Sequence, residues 1–229
     1  MAIIKKYQAE VISLKNTIDG VYTIEFRSLA KPFIYSPGQF LHLAIDEYDP
    51  AAQWPDSRCF SMQSSPDEEM IKITYAVKGR FTARMQQELK PGSEVTLKLP
   101  YGDLFTQPHN KTNTVFIAGG TGITPFLSLF NHSSFAEYKN PILYAGFRNH
   151  NMNLYKSELE IAQRINAQFN FIPIFEDNEG ILDISKIYQS SKSESSFFIS
   201  GPPAMIKSFK RYLISSGINV NQVLTDDWE

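Results

Sequence analysis

The sequence predicts a two-domain fold: a six-stranded antiparallel β-barrel, followed by an α/β domain with a doubly wound, mostly parallel sheet. Three observations support this prediction. The 229 residues are enough for two domains of about 100 residues each. Short strand patterns separated by turn residues fill the first half, whereas strand and helix patterns alternate in the second. A polar stretch at 107–113 separates the halves, so we place the domains at 1–108 and 112–229.

The first half is rich in β-forming residues, punctuated by turns at Pro37-Gly38 and Pro91-Gly92. Six short strands and one helix are typical of a small antiparallel barrel. We expect strands at Tyr7–Leu14, Val21–Arg27, Gln39–Ile45, Arg58–Gln63, Ile71–Val77 and Glu94–Leu99, with a helix at Thr82–Leu89.

The second half alternates apolar strand patterns with helical periodicity, which indicates parallel strands joined by helices. We expect strands at Thr114–Ala118, Ile142–Phe147, Phe169–Phe175, Phe197–Ser200 and Gln222–Leu224. The intervening helices are expected at Pro125–Phe130, Tyr155–Ile165, Asp183–Tyr188 and Pro203–Ser215.

The composition argues against several classes of protein. A net charge of -2 gives no sign of nucleic-acid binding. The single cysteine, Cys59, excludes an intrachain disulfide and a cluster of cysteine ligands, and the four histidines lack metal-ligand spacing. No segment has the about 20 apolar residues of a membrane span, and the N-terminus does not look like a signal peptide. We therefore expect a soluble, monomeric cytoplasmic protein without a metal site.

The sharpest chemical signal is the turn Ala118-Gly119-Gly120-Thr121-Gly122-Ile123-Thr124-Pro125, between a buried strand and a helix. Glycines let a phosphate approach the backbone closely, and a helix start adds free N–H groups. Pro125 suits the first helical turn. The pattern departs from G-x-G-x-x-G, and no acidic residue ends the next strand to bind a ribose. A tight turn without any ligand is the alternative.

A second motif, Arg58-Cys59-Phe60-Ser61, begins a strand of the predicted barrel. Alternation places Arg58 and Phe60 on one face and Ser61 on the other. Arginine can pair with a phosphate, and a hydroxyl can donate a hydrogen bond. On its own the motif fits better an exposed charge beside a core phenylalanine.

Five motifs in order along the chain resemble the ferredoxin–NADP reductase family of flavoproteins. They are Arg58-Cys59-Phe60-Ser61, Gly79-Arg80-Phe81-Thr82, Pro100-Tyr101-Gly102, the glycine-rich turn, and Ser200-Gly201-Pro202-Pro203. The resemblance implies an enzyme that moves a hydride between NAD(P)H and bound FAD and then passes electrons onward.

The resemblance implies an FAD site in the first domain. Arg58 would hold the pyrophosphate, Phe60 would lie along the flavin and its ribityl chain, and Ser61 would hydrogen-bond near flavin N5. The remaining implied FAD contacts are Cys59, Tyr75, Ala76, Val77, Gly79, Arg80, Phe81 and Thr82.

The resemblance also implies a nicotinamide site in the second domain. Gly201 and Pro202 would form the wall beside the nicotinamide, with Ser200 where many members have cysteine. Asp226 would supply a nearby carboxylate, and Trp228 would stack on the flavin, unless it lies on the surface. The dinucleotide itself would be held by Gly120, Thr121, Gly122, Thr124 and Pro125.

The choice of nicotinamide and of electron acceptor stays open in the sequence. Arg148, followed by Tyr155 and Lys156, offers a cation for the 2′-phosphate of NADPH with no acidic residue opposing it, which favours NADPH slightly over NADH. The acceptor is a separate partner: ferredoxin, flavodoxin or an oxygenase component. The alternatives are a reductase of free flavin and a non-catalytic FAD-binding subunit. A basic docking area for a protein acceptor would comprise Lys5, Lys6, Lys31, Arg80, Arg84 and Lys90; the alternative is that these are scattered, solvated charges.

Overall fold

The computed structural model describes residues 3–18 and 20–226. The chain divides into two compact units, the first ending at Gly102 and the second beginning at Asp103. The predicted domain limits, 1–108 and 112–229, stay a prediction, but the predicted polar boundary packs inside the second unit. There the backbone N–H of Asn110 donates to Ser196 Oγ at 2.8 Å, and Thr114 Oγ1 donates to the Asn110 carbonyl at 2.8 Å.

The first unit is a six-stranded sheet in the order β4-β3-β6-β1-β2-β5, and every neighbouring pair is antiparallel. One helix, α1, follows β5. Their bounds are β1 Lys5–Ile18, β2 Val21–Ser28, β3 Phe40–Ala44, β4 Ser57–Ser61, β5 Ile71–Ala76, α1 Arg80–Glu88 and β6 Glu94–Tyr101.

This sheet curls into a barrel because one face of each strand is apolar. On β1, Tyr7 and Ala9 are buried while the alternate residues Lys6 and Gln8 are exposed, as the period of two requires. Beyond β4 the N–H of Gln63 donates to the Lys72 carbonyl on β5 at 2.8 Å, so the two edges of the sheet meet. The enclosed core includes Ile24, Phe26, Leu41, Leu43, Ile73 and Leu97.

The second unit is a five-stranded sheet in the order β11-β10-β7-β8-β9, and every neighbouring pair is parallel. Its strands are β7 Thr114–Gly119, β8 Ile142–Phe147, β9 Asn170–Phe175, β10 Ser196–Ser200 and β11 Val223–Thr225. Its helices are α2 Thr124–Phe130, α3 Lys156–Ile165, α4 Glu176–Glu179, α5 Ile184–Gln189 and α6 Pro203–Ser215.

Helices cover both faces of this sheet, which is why β7 is buried from Thr114 to Ala118. Phe116 packs in one core cluster with Phe126 of α2. Val115 and Ile117 pack in another with Leu213 of α6. The predicted barrel and doubly wound sheet are confirmed. The sheet is wholly parallel in the paired strands, and α4 is a helix that the sequence did not predict.

None of the helices in residues 3–18 and 20–226 is long and apolar enough to cross a membrane.

Candidate functional site

The strand order of the second unit creates a crevice beside β7. The chain runs from β7 outward through β8 and β9, then returns to β10 on the opposite side of β7. Connections therefore leave β7 and β10 in opposite directions, and ligands of open parallel sheets bind at such a switch point, outside the carboxyl ends of the strands. The glycine-rich turn follows β7, and Gly201-Pro202 follows β10. The fold thus brings the two predicted dinucleotide segments together.

Contact between these two segments is possible only because glycines meet there. A Cβ on Gly122 would lie 2.6 Å from the Gly201 Cα and N and from the Ser200 carbonyl oxygen. One on Gly201 would lie 3.0 Å from the backbone N of Gly119. Gly120 has φ +56 and nothing within 4 Å of its Cβ position, so its left-handed backbone faces open space. This is the arrangement that a close backbone approach to a phosphate requires.

The remaining residues of the turn shape it from inside. A 3-10 turn, Gly120–Ile123, joins β7 to α2. Thr124 is buried and its hydroxyl donates to the Thr121 carbonyl at 3.0 Å. Pro125 is buried in the first turn of α2. The side chains of Thr124 and Pro125 therefore support the turn, and Thr121 is the half-buried side chain beside the open glycine.

Ser200 and Asp226 meet at the carboxyl ends of β10 and β11. The Ser200 hydroxyl donates to Asp226 Oδ2 at 3.2 Å, and the Asp226 N–H donates to the Ile199 carbonyl at 3.0 Å. Ser200 is almost fully buried, so a carboxylate is held beside Gly201-Pro202. The other predicted residue of this tail, Trp228, lies outside the described residues.

The predicted binding site for a 2′-phosphate is only partly assembled. Arg148 is exposed immediately after β8, as expected. Tyr155 is not beside it as a surface ligand: its ring belongs to the core, because the first turn of α3 faces inward there. Within the described residues, the loop that carries Arg148 is bonded to α4 through the backbone alone, so the expectation that no acidic residue opposes the guanidinium stays a prediction. The N–H of Asp177 donates to the Arg148 carbonyl at 3.2 Å, which places acidic α4 alongside it.

In the first unit, β4 presents its residues to two sides as the alternation predicted. The Arg58 guanidinium lies over the Phe81 ring at 5.5 Å, and Phe60 contacts the Tyr75 ring at 5.9 Å. Arg58 is exposed and pairs with Asp56 at 3.0 Å, an arrangement that solvent keeps weak and that an incoming phosphate could replace. These contacts align the predicted FAD residues of β4, β5 and α1.

Cys59 points to the other side, toward His42 on β3, with 3.4 Å between Sγ and Nε2. Burial raises the pKa of the Cys59 thiol. Burial, with the positive charge of Lys98 as a second cause, lowers the pKa of His42. Both groups are thus neutral near pH 7. This cross-strand pair removes the Cys59 side chain from the side of the sheet that carries Arg58 and Phe60.

The turn before α1 is held by one hydroxyl. Thr82 Oγ1 accepts from the N–H of Lys78 at 3.0 Å and from that of Gly79 at 3.2 Å. Phe81 and Tyr75 are core residues, so Phe81 can offer a cofactor only its backbone. Ala76 and Val77 are half-buried, whereas Gly79 and Arg80 are exposed. Ser61 is buried at the end of β4.

The sequence placed Gly119 in the glycine-rich turn but assigned it no contact of its own. A Cβ on Gly119 would lie 2.9 Å from Met205 Sδ and Pro202 Cδ, a contact between segments far apart in the chain. Within the described ranges no group of three or more His, Cys, Asp or Glu side chains is placed to hold a metal ion.

The predicted basic docking area does not form one free patch. Arg84 pairs with Asp46 at 2.6 Å and with Glu88 at 2.8 Å. The Lys6 ammonium lies over the Tyr48 ring at 4.2 Å.

Comparison with known proteins agrees with this architecture. Residues 116–211 match the model of the oxidoreductase NAD-binding domain. The chain is 28% identical over 214 residues to the reductase component of propane 2-monooxygenase from Mycolicibacterium smegmatis, a match that covers 86% of this chain and 60% of the relative. It is 26% identical to an NAD(P)H-flavin reductase of Aliivibrio fischeri, covering 75% of this chain and 76% of that protein.

Solved structures share the whole two-unit fold. A ferredoxin NADP+ reductase from Neisseria gonorrhoeae with bound FAD and NADP superposes with a TM-score of 0.80 at 17% identity, covering 97% of this chain and 98% of the other. The ferredoxin reductase in carbazole 1,9a-dioxygenase superposes with a TM-score of 0.80 at 21% identity, covering 100% of this chain and 70% of the other. The match over residues 116–211 is to the oxidoreductase NAD-binding domain, and the fold is that of the ferredoxin reductase structures.

Proposed function

We propose that this chain is an FAD-dependent NAD(P)H oxidoreductase that passes electrons to a separate acceptor, such as a ferredoxin, a flavodoxin or an oxygenase component. The observation that carries the proposal is the close approach of Gly122 to Gly201. A Cβ built on Gly122 would lie 2.6 Å from the Gly201 backbone. This approach joins a glycine-rich phosphate turn to the loop expected beside the nicotinamide. Reductase components among the relatives support the reaction class.

The residues of the first unit fit an FAD. Arg58 offers an exposed guanidinium that can pair with a pyrophosphate, and Phe60 offers a half-buried ring beside it. A bound FAD would supply the chemistry of accepting a hydride and releasing electrons to a partner. Ser61 Oγ would hold a proton near flavin N5. The Ser200–Asp226 pair would keep a polar, charged group at the nicotinamide end of the second unit.

The residues of the second unit fit a nicotinamide dinucleotide. The open backbone at Gly120 would receive the pyrophosphate, and Gly201 with Pro202 would orient the nicotinamide. We propose a cytoplasmic location as well, because a single unpaired cysteine, Cys59, is typical of a reducing compartment.

The first test is spectroscopic. The purified chain should be yellow or take up FAD on reconstitution, and reduced nicotinamide dinucleotide should bleach it anaerobically. A chain that neither carries nor takes up FAD would overturn the proposal. Arg58→Ala should weaken FAD binding by at least about tenfold, since a hydrogen bond to a charged group is worth about 1.5–3 kcal/mol. The matched control is Arg27→Ala, an exposed arginine on β2, which should bind FAD normally.

The second test identifies the acceptor. Oxidation of the nicotinamide should be measured with an artificial dye, a [2Fe–2S] ferredoxin, a flavodoxin and free FMN. Reduction of a protein acceptor by a chain that retains FAD through gel filtration supports the proposal. Loss of FAD on gel filtration, with free flavin as the only acceptor reduced, would instead show a free-flavin reductase.

A further inference from the structure

Arg58, to which we assign the FAD pyrophosphate, is bonded to the two residues that precede it in the chain. Its Nη1 atom donates to Asp56 Oδ1 at 3.0 Å and to the Ser57 carbonyl oxygen at 2.7 Å. The guanidinium also lies over the Phe81 ring at 5.5 Å. Each Nη atom of an arginine carries two of its five N–H donors. Both donors of Nη1 are therefore used within the chain itself.

The segment that carries Asp56 is anchored to the sheet. Trp54 Nε1 donates to Ser57 Oγ at 2.8 Å, and the Lys98 ammonium of β6 lies over the Trp54 ring at 5.4 Å. Holding two side chains in one geometry costs conformational entropy, which is why many exposed ion pairs contribute nothing. Because Trp54 fixes the backbone beside Asp56, part of that cost is already met before the carboxylate reaches Arg58.

A pyrophosphate would meet a guanidinium with one open edge. Arginine binds phosphate most strongly through two parallel N–H donors. Asp56 and Ser57 occupy the end formed by Nη1 and Nη2, and they are the only acceptors bonded to Arg58 among the described residues. A phosphate can therefore use the edge formed by Nε and Nη2, with the carboxylate still nearby, or displace Asp56. The first arrangement brings like charges together and the second breaks an ion pair, so both reduce affinity.

We propose that Asp56 competes with the FAD pyrophosphate for Arg58, and thereby lowers the affinity of this chain for FAD and speeds its release. The proposal rests on the function proposed above and concerns how firmly the flavin is held. The Asp56 and Arg58 side chains are each 57% exposed, so a phosphate can displace the carboxylate and the competition is reversible. An exposed pair of this kind corresponds to about two- to fivefold in affinity.

The test removes the charge of Asp56 and keeps its shape. Asp56→Asn retains an oxygen that can accept from Arg58. The matched control is Glu47→Gln, which removes one charge from an exposed residue of the same connection between β3 and β4. Each variant is titrated with FAD and with riboflavin, which has the flavin ring and ribityl chain but no phosphate. Quenching of flavin fluorescence gives the affinities, and dilution of the complex gives the rate of FAD release.

Asp56→Asn should bind FAD about two- to fivefold more tightly than the parent chain and release it more slowly. Its affinity for riboflavin should be unchanged, because the competition concerns the phosphates alone. Glu47→Gln should match the parent chain with both ligands. In an Arg58→Ala background, Asp56→Asn should change FAD affinity by less than about twofold, since the competition acts through the guanidinium.

Unchanged or weaker FAD binding by Asp56→Asn would overturn this proposal. So would an equal gain for riboflavin, or the full gain in the Arg58→Ala background, because either result would mean that Asp56 does not act on the pairing of Arg58 with phosphate. If Arg58→Ala binds FAD too weakly to measure, the comparison of FAD with riboflavin decides alone. All these outcomes leave the proposed function standing. If neither the parent chain nor Asp56→Asn binds FAD, the proposed function itself fails.

Discussion

We expect the substitution Gly122→Ala, which adds a single methyl group, to destabilise the dinucleotide site. A Cβ there would lie 2.6 Å from Gly201 Cα, Gly201 N and the Ser200 carbonyl oxygen. An ordinary carbon contact is about 3.5–4.0 Å, so Gly122→Ala requires a separation of about 1 Å. The opposing atoms are backbone and cannot rotate away. Overpacking of this kind costs about 1–3 kcal/mol.

The matched control is Gly120→Asn, two residues away. Gly120 has nothing within 4 Å of its Cβ position and a φ of +56, a conformation that asparagine tolerates better than other non-glycine residues. Urea unfolding followed by far-UV circular dichroism gives the free energy of unfolding of each variant, and titration with ADP-ribose gives its nucleotide affinity. Gly122→Ala should lose about 1–3 kcal/mol and most of its affinity, whereas Gly120→Asn should keep its stability within about 1 kcal/mol. A Gly122→Ala protein as stable as the parent, with unchanged affinity, would refute the reasoning.

Three further predictions concern other contacts. Ser200→Ala removes the hydroxyl that donates to Asp226 and should lower the free energy of unfolding by about 1 kcal/mol. Ser200→Thr keeps a hydroxyl and should lose less of that stability. Urea unfolding measures both variants. The neutral His109 ring accepts a hydrogen bond from a tyrosine hydroxyl, and burial lowers its pKa. The contribution of His109 to the free energy of unfolding should therefore be complete above about pH 6.5 and be lost as the pH falls through the lowered pKa. Urea midpoints measured against pH should show this loss, and His109→Gln should reduce it. Gly102→Ala should lower the thermal midpoint of unfolding more than Gly92→Ala. Both glycines have a positive φ, +85 and +87, but only the Cβ position of Gly102 meets a neighbour, the Phe40 ring at 3.0 Å. Equal losses would show that backbone strain accounts for the whole effect and that the contact with Phe40 adds nothing.

Most of the fold was predictable because its elements carry strong periodic signals. The strand Ile142–Phe147 and the helix Pro203–Ser215 are residue for residue as predicted. The first is an unbroken apolar run, and the second begins at a proline in its first turn. By contrast α4, Glu-Asp-Asn-Glu, has no apolar residue to create a helical period, and its placement depends on the end of β9.

The site was predictable as a set of segments but not as a set of contacts. Glycines at 120, 122 and 201 were identified from their motifs, yet the fit of Gly122 against Gly201 depends on how β7 and β10 pair. Tyr155 was expected beside Arg148 at a phosphate site, but its ring packs in the core, because a tyrosine at a helix start suits either core or solvent until packing decides. The backbone hydrogen bond from Asp177 to Arg148 joins loops that follow neighbouring strands, which no local pattern encodes.

The abrupt change of unit after Gly102 bears on how such proteins can be recombined. Leu104 and Phe105, just ahead of the polar stretch, pack in the core of the second unit, and the Gln107 carbonyl is bonded to His109 Nδ1. A chimera cut at Pro108 would therefore strip the transplanted nucleotide unit of part of its own scaffold. A junction between Gly102 and Asp103 would leave every one of these contacts within a single parent. Shuffling of reductase halves, in the laboratory or during gene fusion, should succeed at that junction and fail a few residues later.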